Sequence, residues 1–304
     1  MANQDNQAYI GRFAPSPTGP LHWGSLYTAL ASFLDARSHQ GKWLLRIDDL
    51  DTPRNVNGAA DNILKTLENF GLFWDDAASY QSQCIDVYND VLDTLRKQQL
   101  IYPCTCSRKT LSPYSADTAL ANIYPGFCRH VTTLPDRPYS LRIKTDERMI
   151  SFKDSLHGLI SQNMAKQHGD FVIKRKDHII AYQFAVVIDD NLQHINHIVR
   201  GIDLLDSTAK QIYLQQLLGL PTPHYMHVPV IIDQQGYKLS KQTLAASVDN
   251  QQPQATLFKL LDLLNQHPPT ELASSTTHDL LDWAIAHWNP TSLKDLRTIL
   301  QTID

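Results

Sequence analysis

Two short stretches carry residue types that handle phosphate. In PSPTGPLHWGS (residues 15–25), Pro15, Pro17, Gly19 and Pro20 stiffen a loop that delivers His22 and Gly24 to the start of an apolar-periodic run. A helix N-terminus offers unpaired N–H groups and a partial positive charge, and so seats an anion. Gly24 leaves room for a ligand against the backbone, and His22 can donate to a phosphate oxygen as charge builds on it. The prolines order the loop before a ligand arrives, which lowers the cost of binding. The second stretch is KLSKQ (residues 238–242), behind an apolar strand and a Gly turn. Two lysines three apart, Lys238 and Lys241, can neutralise a polyphosphate in its transition state. Alone, the first stretch is a Pro-rich turn and the second a solvated lysine turn; together they describe a nucleotide clamp.

A third constellation is Cys104, Cys106 and Cys128, spaced C-x-C and then within 25 residues. Three thiolates bind zinc well, and a closed structural site takes four ligands. The residues nearby leave the fourth open between Tyr124 and His130. Cys84 lies apart and reads as a core residue.

The elements that must position these groups follow from periodicity. Residues 8–14 read as a strand, 25–38 as a helix with Leu26, Ala29, Leu30, Phe33 and Leu34 at helical spacing, and 43–47 as a compact apolar strand ending in DDLD. Strand, loop, helix, strand is a βαβ unit with parallel strands, and ligands sit at their carboxyl ends. Helices are predicted over 59–70 and 86–99, short strands over 139–176, a buried element over 178–190, a helix over 203–218 and a strand with a turn over 227–242. Three helices are predicted in the tail, over 256–265, 279–287 and 292–302. The 304 residues suffice for a full core. No apolar run is long enough to span a bilayer and the first seven residues are polar, so a cytoplasmic protein is expected. The net charge of -4 excludes a general nucleic-acid coat protein. Residues 1–244 hold 24 basic and 24 acidic residues, and 245–304 hold 3 and 7, so the tail is a poor phosphate holder. The basic run VIKRK (residues 172–176) and the pair Arg108 and Lys109 are candidate RNA contacts that read first as solvated faces.

RFAPSPTGPLHWGS and KLSKQ together resemble the two signature loops of the class I aminoacyl-tRNA synthetases, in the glutamyl-tRNA synthetase branch. LLRIDDLD, AYQFAVVIDD and IVRG resemble further segments of that branch, so the likeness runs from Tyr9 to Gln242. The resemblance implies an α/β fold: a class I synthetase Rossmann-type parallel sheet, with a zinc-bearing insertion and a short helical C-terminal region. Residues 8–100 and 178–244 would form the nucleotide-binding catalytic domain, 101–177 the insertion, and 245–304 the tail, with no anticodon-binding domain. It implies a ligase that makes an aminoacyl-adenylate from ATP, with Mg2+, and passes the acyl group to RNA. His22, Gly24 and Lys241 would hold ATP, with Lys238 assisting catalysis. Glutamate would be held by Arg12, Phe13, Ala14, Pro15 and Ser16, with Arg12 on its side-chain carboxylate. Asp48 would meet the α-ammonium, and Tyr182 and Arg200 would close the pocket. Asp48 stands where the branch has Glu, one methylene longer, and Val186 aligns with a pocket Asn; both imply a changed pocket.

Only about sixty residues follow KLSKQ, too few and too acidic for the branch's anticodon reader. The chain therefore resembles the short paralogues of glutamyl-tRNA synthetase, which place glutamate on the queuosine base at the wobble position of tRNA(Asp). That subgroup implies Tyr124 as the fourth ligand of one structural zinc ion, and a monomer. A minimal synthetase charging the 3′ end of tRNA is the alternative, and a non-catalytic RNA-binding module a third reading. The joint presence of His22, Gly24 and both lysines argues against the third.

Overall fold

The computed structural model describes residues 8–112, 123–239, 248 and 250–300. The chain opens with the expected βαβ unit: β1 (Ile10–Phe13), α1 (Trp23–Ser38) and β2 (Lys42–Ile47), with Ile10 opposite Lys42 and Phe13 opposite Leu45 in parallel register. After α2 (Ala59–Asn69), β3 (Ser79–Tyr80) adds to the far edge of β2. α3 (Ile85–Lys97) leads to β4 (Ile101–Cys104), a single turn α4 (Arg108–Leu111) and β5 (Ser140–Ile143). A hairpin of β6 (Met149–Asp154) and β7 (Gly158–Asn163) follows, then β8 (Val172–Lys174). α5 (Tyr182–Leu192), β9 (His197–Gly201), α6 (Leu205–Leu218), β10 (His224–Val228) and β11 (Val230–Ile232) continue the alternation. The tail contributes α7 (Pro253–Leu263), α8 (Thr277–His287) and β12 (Thr298–Leu300).

The strands form separate sheets. β1, β2 and β3 are parallel. β9 and β10 are parallel, and β6 joins β10 at Asp154 opposite Tyr225, carrying β7 on its outer edge. β4, β5 and β8 form an antiparallel sheet. Asn196 ties the first two sheets together: its Oδ1 accepts from Ile10 N at 2.7 Å and its N–H donates to Ile10 O at 3.1 Å.

Trp43 to Ile47 of β2 are continuously buried because both faces are covered. α1 is buried on most sides, since it lies between this sheet and the tail helices. The tail latches there through Trp288, whose Nε1 donates to Asp35 Oδ1 at 3.0 Å. Pro253 starts α7 and a Thr276–Asp279 capping box starts α8, as their side-chain chemistry dictates.

Four expectations are refined or corrected. The stretch 178–190 becomes helical only from Tyr182 onward, and the helix over 203–218 begins with a 3₁₀ turn, Ile202–Leu204. The strand over 227–232 is two strands, because Pro229 has no N–H to give a ladder. The helix over 292–302 is absent from the described part of that range: a 3₁₀ turn, Pro290–Leu293, is followed by β12, parallel to β11 with Ile231 opposite Ile299. A waiting strand edge and the β-branched Thr298–Ile299 pair override the helical spacing.

Candidate active site

Both signature loops converge on one cavity of about 290 Å³ at the carboxyl end of β1. The proline loop is stitched down before it gets there. Asp48 N donates to Pro15 O at 3.0 Å, Val56 N to Pro17 O at 2.9 Å, and Gly19 takes φ 130°, which an L side chain would resist. His22 then caps α1: its Nδ1 accepts from Ser25 N at 3.3 Å, and its Nε2 lies 2.9 Å from Ser25 Oγ. With Nδ1 accepting, a neutral ring carries its proton on Nε2, facing Ser25 Oγ. Gly24 lies between the two loops. A Cβ there would sit 3.2 Å from Leu239 O and 3.3 Å from the His22 ring. The second loop leaves β11 through a turn at 234–236 and returns beside it, with Lys238 bridged to Ile232 and Leu239 N donating to Ile231 O at 2.9 Å. Lys238 Nζ donates to Asp203 Oδ2 at 2.6 Å, and both residues line the cavity. Lys241 and Gln242 lie outside the described residues.

The expected glutamate set divides in two. Arg12, Phe13, Ala14, Pro15, Ser16, Tyr182 and Arg200 all line the cavity, as do His22 and Gly24. Asp48 and Val186 do not. Val186 is on α5, on a face buried in the core. Asp48 stands behind the wall, in a buried array of two guanidinium and three carboxylate groups. Its Oδ1 accepts from Arg46 Nε at 2.8 Å, and Arg46 also donates to Asp190 Oδ1 at 2.7 Å. Asp190 pairs with Arg12 through both oxygens at 3.2 Å. Asp189 lies 3.8 Å from Arg46 and accepts from Tyr88 and Gln81 at 2.5 and 2.7 Å. Burial raises the Asp48 carboxyl to about 6 against the pull of Arg46, and raises Asp189 too. At Asp190 burial is outweighed by Arg12 and Arg46, which hold it below the usual range.

Arg200 is held differently. It donates to His227 Nε2 at 3.1 Å, Gln211 Oε1 at 2.8 Å and Thr208 Oγ1 at 2.7 Å, with Tyr182 Oη 3.5 Å away. These acceptors are neutral. Spacing arguments did not find His227, Asp154, Asp190 or Arg46, because they are buried polar groups scattered through three apolar strands and helix α5. The adjacent Asp189 and Asp190 in an apolar run were their one visible signal.

The cysteines also come together. Cys104, Cys106 and Cys128 place their sulfurs within 4.8 Å of one another, a group that could hold a metal ion. Tyr124 Oη lies 3.3 Å from Cys104 Sγ and 3.4 Å from Cys106 Sγ, and accepts from Cys128 N at 2.9 Å. No histidine among the described residues joins the group. Arg142 stacks 3.9 Å above the Tyr124 ring and fixes its place. Among the described residues no helix is long and apolar enough to cross a membrane.

Residues 10–266 match the family model of the class I tRNA synthetases (E and Q), catalytic domain. Fold and site together thus define a class I synthetase core with mixed α/β sheets, and an enzyme of the ligase type. The chain is similar to the glutamyl-Q tRNA(Asp) synthetase of Ectopseudomonas mendocina, 47% identical over 97% of this chain and 98% of that one. It is also similar to that of Thiobacillus denitrificans, 48% identical over 93% and 94%. The chain belongs to the glutamyl-Q tRNA(Asp) synthetase family. Among solved structures it resembles a glutamate tRNA ligase from Elizabethkingia meningosepticum in complex with its amino acid, with TM-score 0.78 and 26% identity, covering 96% of this chain and 66% of the other. The glutamate-tRNA synthetase from Elizabethkingia anophelis matches with TM-score 0.79 and 25% identity, covering 96% and 68%. The chain spans about two thirds of the length of these ligases.

Proposed function

We propose that this protein activates L-glutamate with ATP and transfers it to the queuosine base at the wobble position of tRNA(Asp). The observation that carries the reading is the single cavity shared by His22, Gly24 and Lys238 on one side and Arg12, Tyr182 and Arg200 on the other. One set suits a triphosphate and the other a dicarboxylic amino acid. A glutamate α-carboxylate oxygen attacks the α-phosphorus of ATP; the new P–O bond forms as the bond to pyrophosphate breaks. A hydroxyl of the acceptor then attacks the acyl carbon, loses its proton and displaces AMP. Positioning and charge neutralisation supply most of the catalysis. His22, Lys238 and Lys241 would share the phosphate charge, with Mg2+ arriving on the nucleotide. Arg12 would take the side-chain carboxylate. Asp48, shorter than Glu and set behind the wall, would reach the α-ammonium through water.

The queuosine acceptor, rather than the 3′ end, is favoured by relatives of that name matched along nearly their whole length. The tail fits this, since its described residues pack on α1 and β11 instead of forming a separate reading body. We assign residues 8–100 and 178–244 to the catalytic domain and 101–177 to the insertion. The cysteine group would hold one structural zinc ion with Tyr124 as fourth ligand. Tetrahedral zinc with bonds of about 2.3 Å sets sulfurs about 3.8 Å apart, and Cys106 Sγ lies 3.7 Å from Cys128 Sγ. The protein would act as a monomer in the cytoplasm.

The test uses labelled glutamate, ATP and queuosine-containing tRNA(Asp) stripped of its terminal adenosine. Label should enter this RNA and fail to enter tRNA lacking queuosine. Label entering only tRNA with an intact 3′ end would replace this reading with a small 3′-end synthetase.

A further inference from the structure

Arg200 presents a buried positive charge to the cavity, and among the described residues no carboxylate pairs with it. Arg12, by contrast, is matched to Asp190. A buried guanidinium held by neutral acceptors is costly until an anion arrives, and its aim depends on those acceptors. One of them is an imidazole whose protonation state is dictated from behind. His227 is fully buried in β10, with Nε2 receiving Arg200 Nε and Nδ1 2.6 Å from Asp154 Oδ2. A guanidinium only donates, so Nε2 must carry the lone pair. A carboxylate only accepts, so Nδ1 must carry the proton. Asp154, at the end of β6, has its other oxygen fixed by the N–H groups of Leu156 and His157, both at 3.0 Å. Thr208 Oγ1 also lies 3.1 Å from Nε2, where its hydroxyl can donate to the same lone pair. His157 Nε2 donates to the His227 carbonyl at 2.9 Å, and Tyr225 stacks its ring 6.1 Å away. Burial, helped by Arg200 and His157 and opposed by Asp154, lowers the imidazole to about 4.

We propose that Asp154 and His227 are positioning residues for substrate recognition: Asp154 locks the His227 tautomer, and His227 thereby aims Arg200 at a carboxylate of the amino acid. The inference rests on reading the cavity as the glutamate pocket. It also gives β6, in the 101–177 stretch, a direct mechanical link to that pocket, because Asp154 sits where β6 meets β10.

Asp154→Asn is nearly isosteric and keeps an oxygen for Leu156 and His157. Its amide then donates to Nδ1, which drives the ring proton onto Nε2 and sets N–H against N–H at Arg200. This is the tautomer failure known from serine-protease triads. In glutamate-dependent ATP–pyrophosphate exchange, run with tRNA present, Asp154→Asn should raise the glutamate KM about tenfold or more. The rate at saturating glutamate and the ATP KM should change by less than about twofold. His227→Gln retains an acceptor for Arg200 and has no tautomer to flip, so adding Asp154→Asn to it should cost nothing further. An unchanged glutamate KM in Asp154→Asn, or a full penalty persisting in the double variant, overturns the proposal. So does nitrogen-15 NMR of the wild-type protein if His227 carries its proton on Nε2, a readout that needs no variant and no activity. Wild-type protein showing the expected tautomer but no exchange with glutamate would sink the functional reading and leave the relay geometry standing.

Discussion

The carbonyl of Leu239 approaches Gly24 so closely that a methyl group on Gly24 would sit 3.2 Å from it. Two loops more than two hundred residues apart are thus packed backbone to helix terminus, with the His22 ring against the same glycine. Gly24→Ala should lower pyrophosphate exchange about 10- to 100-fold by displacing the lysine loop or the histidine. Thermal stability should hold or rise, because Ala outranks Gly in a helix by about 0.5–1 kcal/mol. A fully active Gly24→Ala enzyme would show that this contact has no catalytic consequence.

Lys238 and Lys241 should separate in their effects. Lys241→Ala is expected to abolish exchange while the melting temperature stays within a few degrees. Lys238→Ala should lower exchange less, about 10-fold, since Asp203 already shares its charge. Unchanged exchange in Lys241→Ala would remove that residue from the mechanism.

The buried array behind the pocket carries three carboxylates against two guanidinium groups, and burial raises Asp48 to about 6. A carboxyl raised above its unfolded value contributes stability at low pH and loses it as pH climbs through the folded pKa. Asp48→Asn should therefore raise the melting temperature by several degrees at pH 7.5 and by little at pH 4. It should also weaken glutamate binding. Thermal melts at the two pH values check this; equal shifts at both would show that Asp48 is fully paired by Arg46.

Purified protein should contain one zinc per chain by metal analysis. Cys106→Ala should lose the metal and cost about 2–5 kcal/mol of stability if the site staples the insertion, a scale comparable to removing a structural disulfide. Tyr124→Phe should retain the cysteines but release zinc faster to a chelator. Wild-type protein without zinc ends the metal assignment.

Local chemistry made much of this molecule readable in advance. The helix opening at the His-x-Gly and the apolar spacing behind it rest on interactions within a few residues, where side-chain type decides geometry, and the strand–helix–strand order follows from such local patterns; the choice of Tyr124 beside the cysteines came only from the family resemblance. The last tail segment was misread because its helical spacing was outvoted by β11, whose open edge offers ladder hydrogen bonds to residues 298–300.

What the sequence by itself supplied is the set of candidate groups: the proline loop with His22 and Gly24, the loop lysines and the cysteine group by type and spacing, and the pocket arginines by family resemblance. Only the tertiary structure decided how those groups are tuned. Arg12 and Arg200 are the same residue type, yet one is neutralised by Asp190 and the other is left on neutral acceptors, His227 among them, with Asp154 behind that imidazole. The reason is physical. A buried charge takes its meaning from the few polar atoms within about 4 Å, and helices and strands distant in the chain supply them.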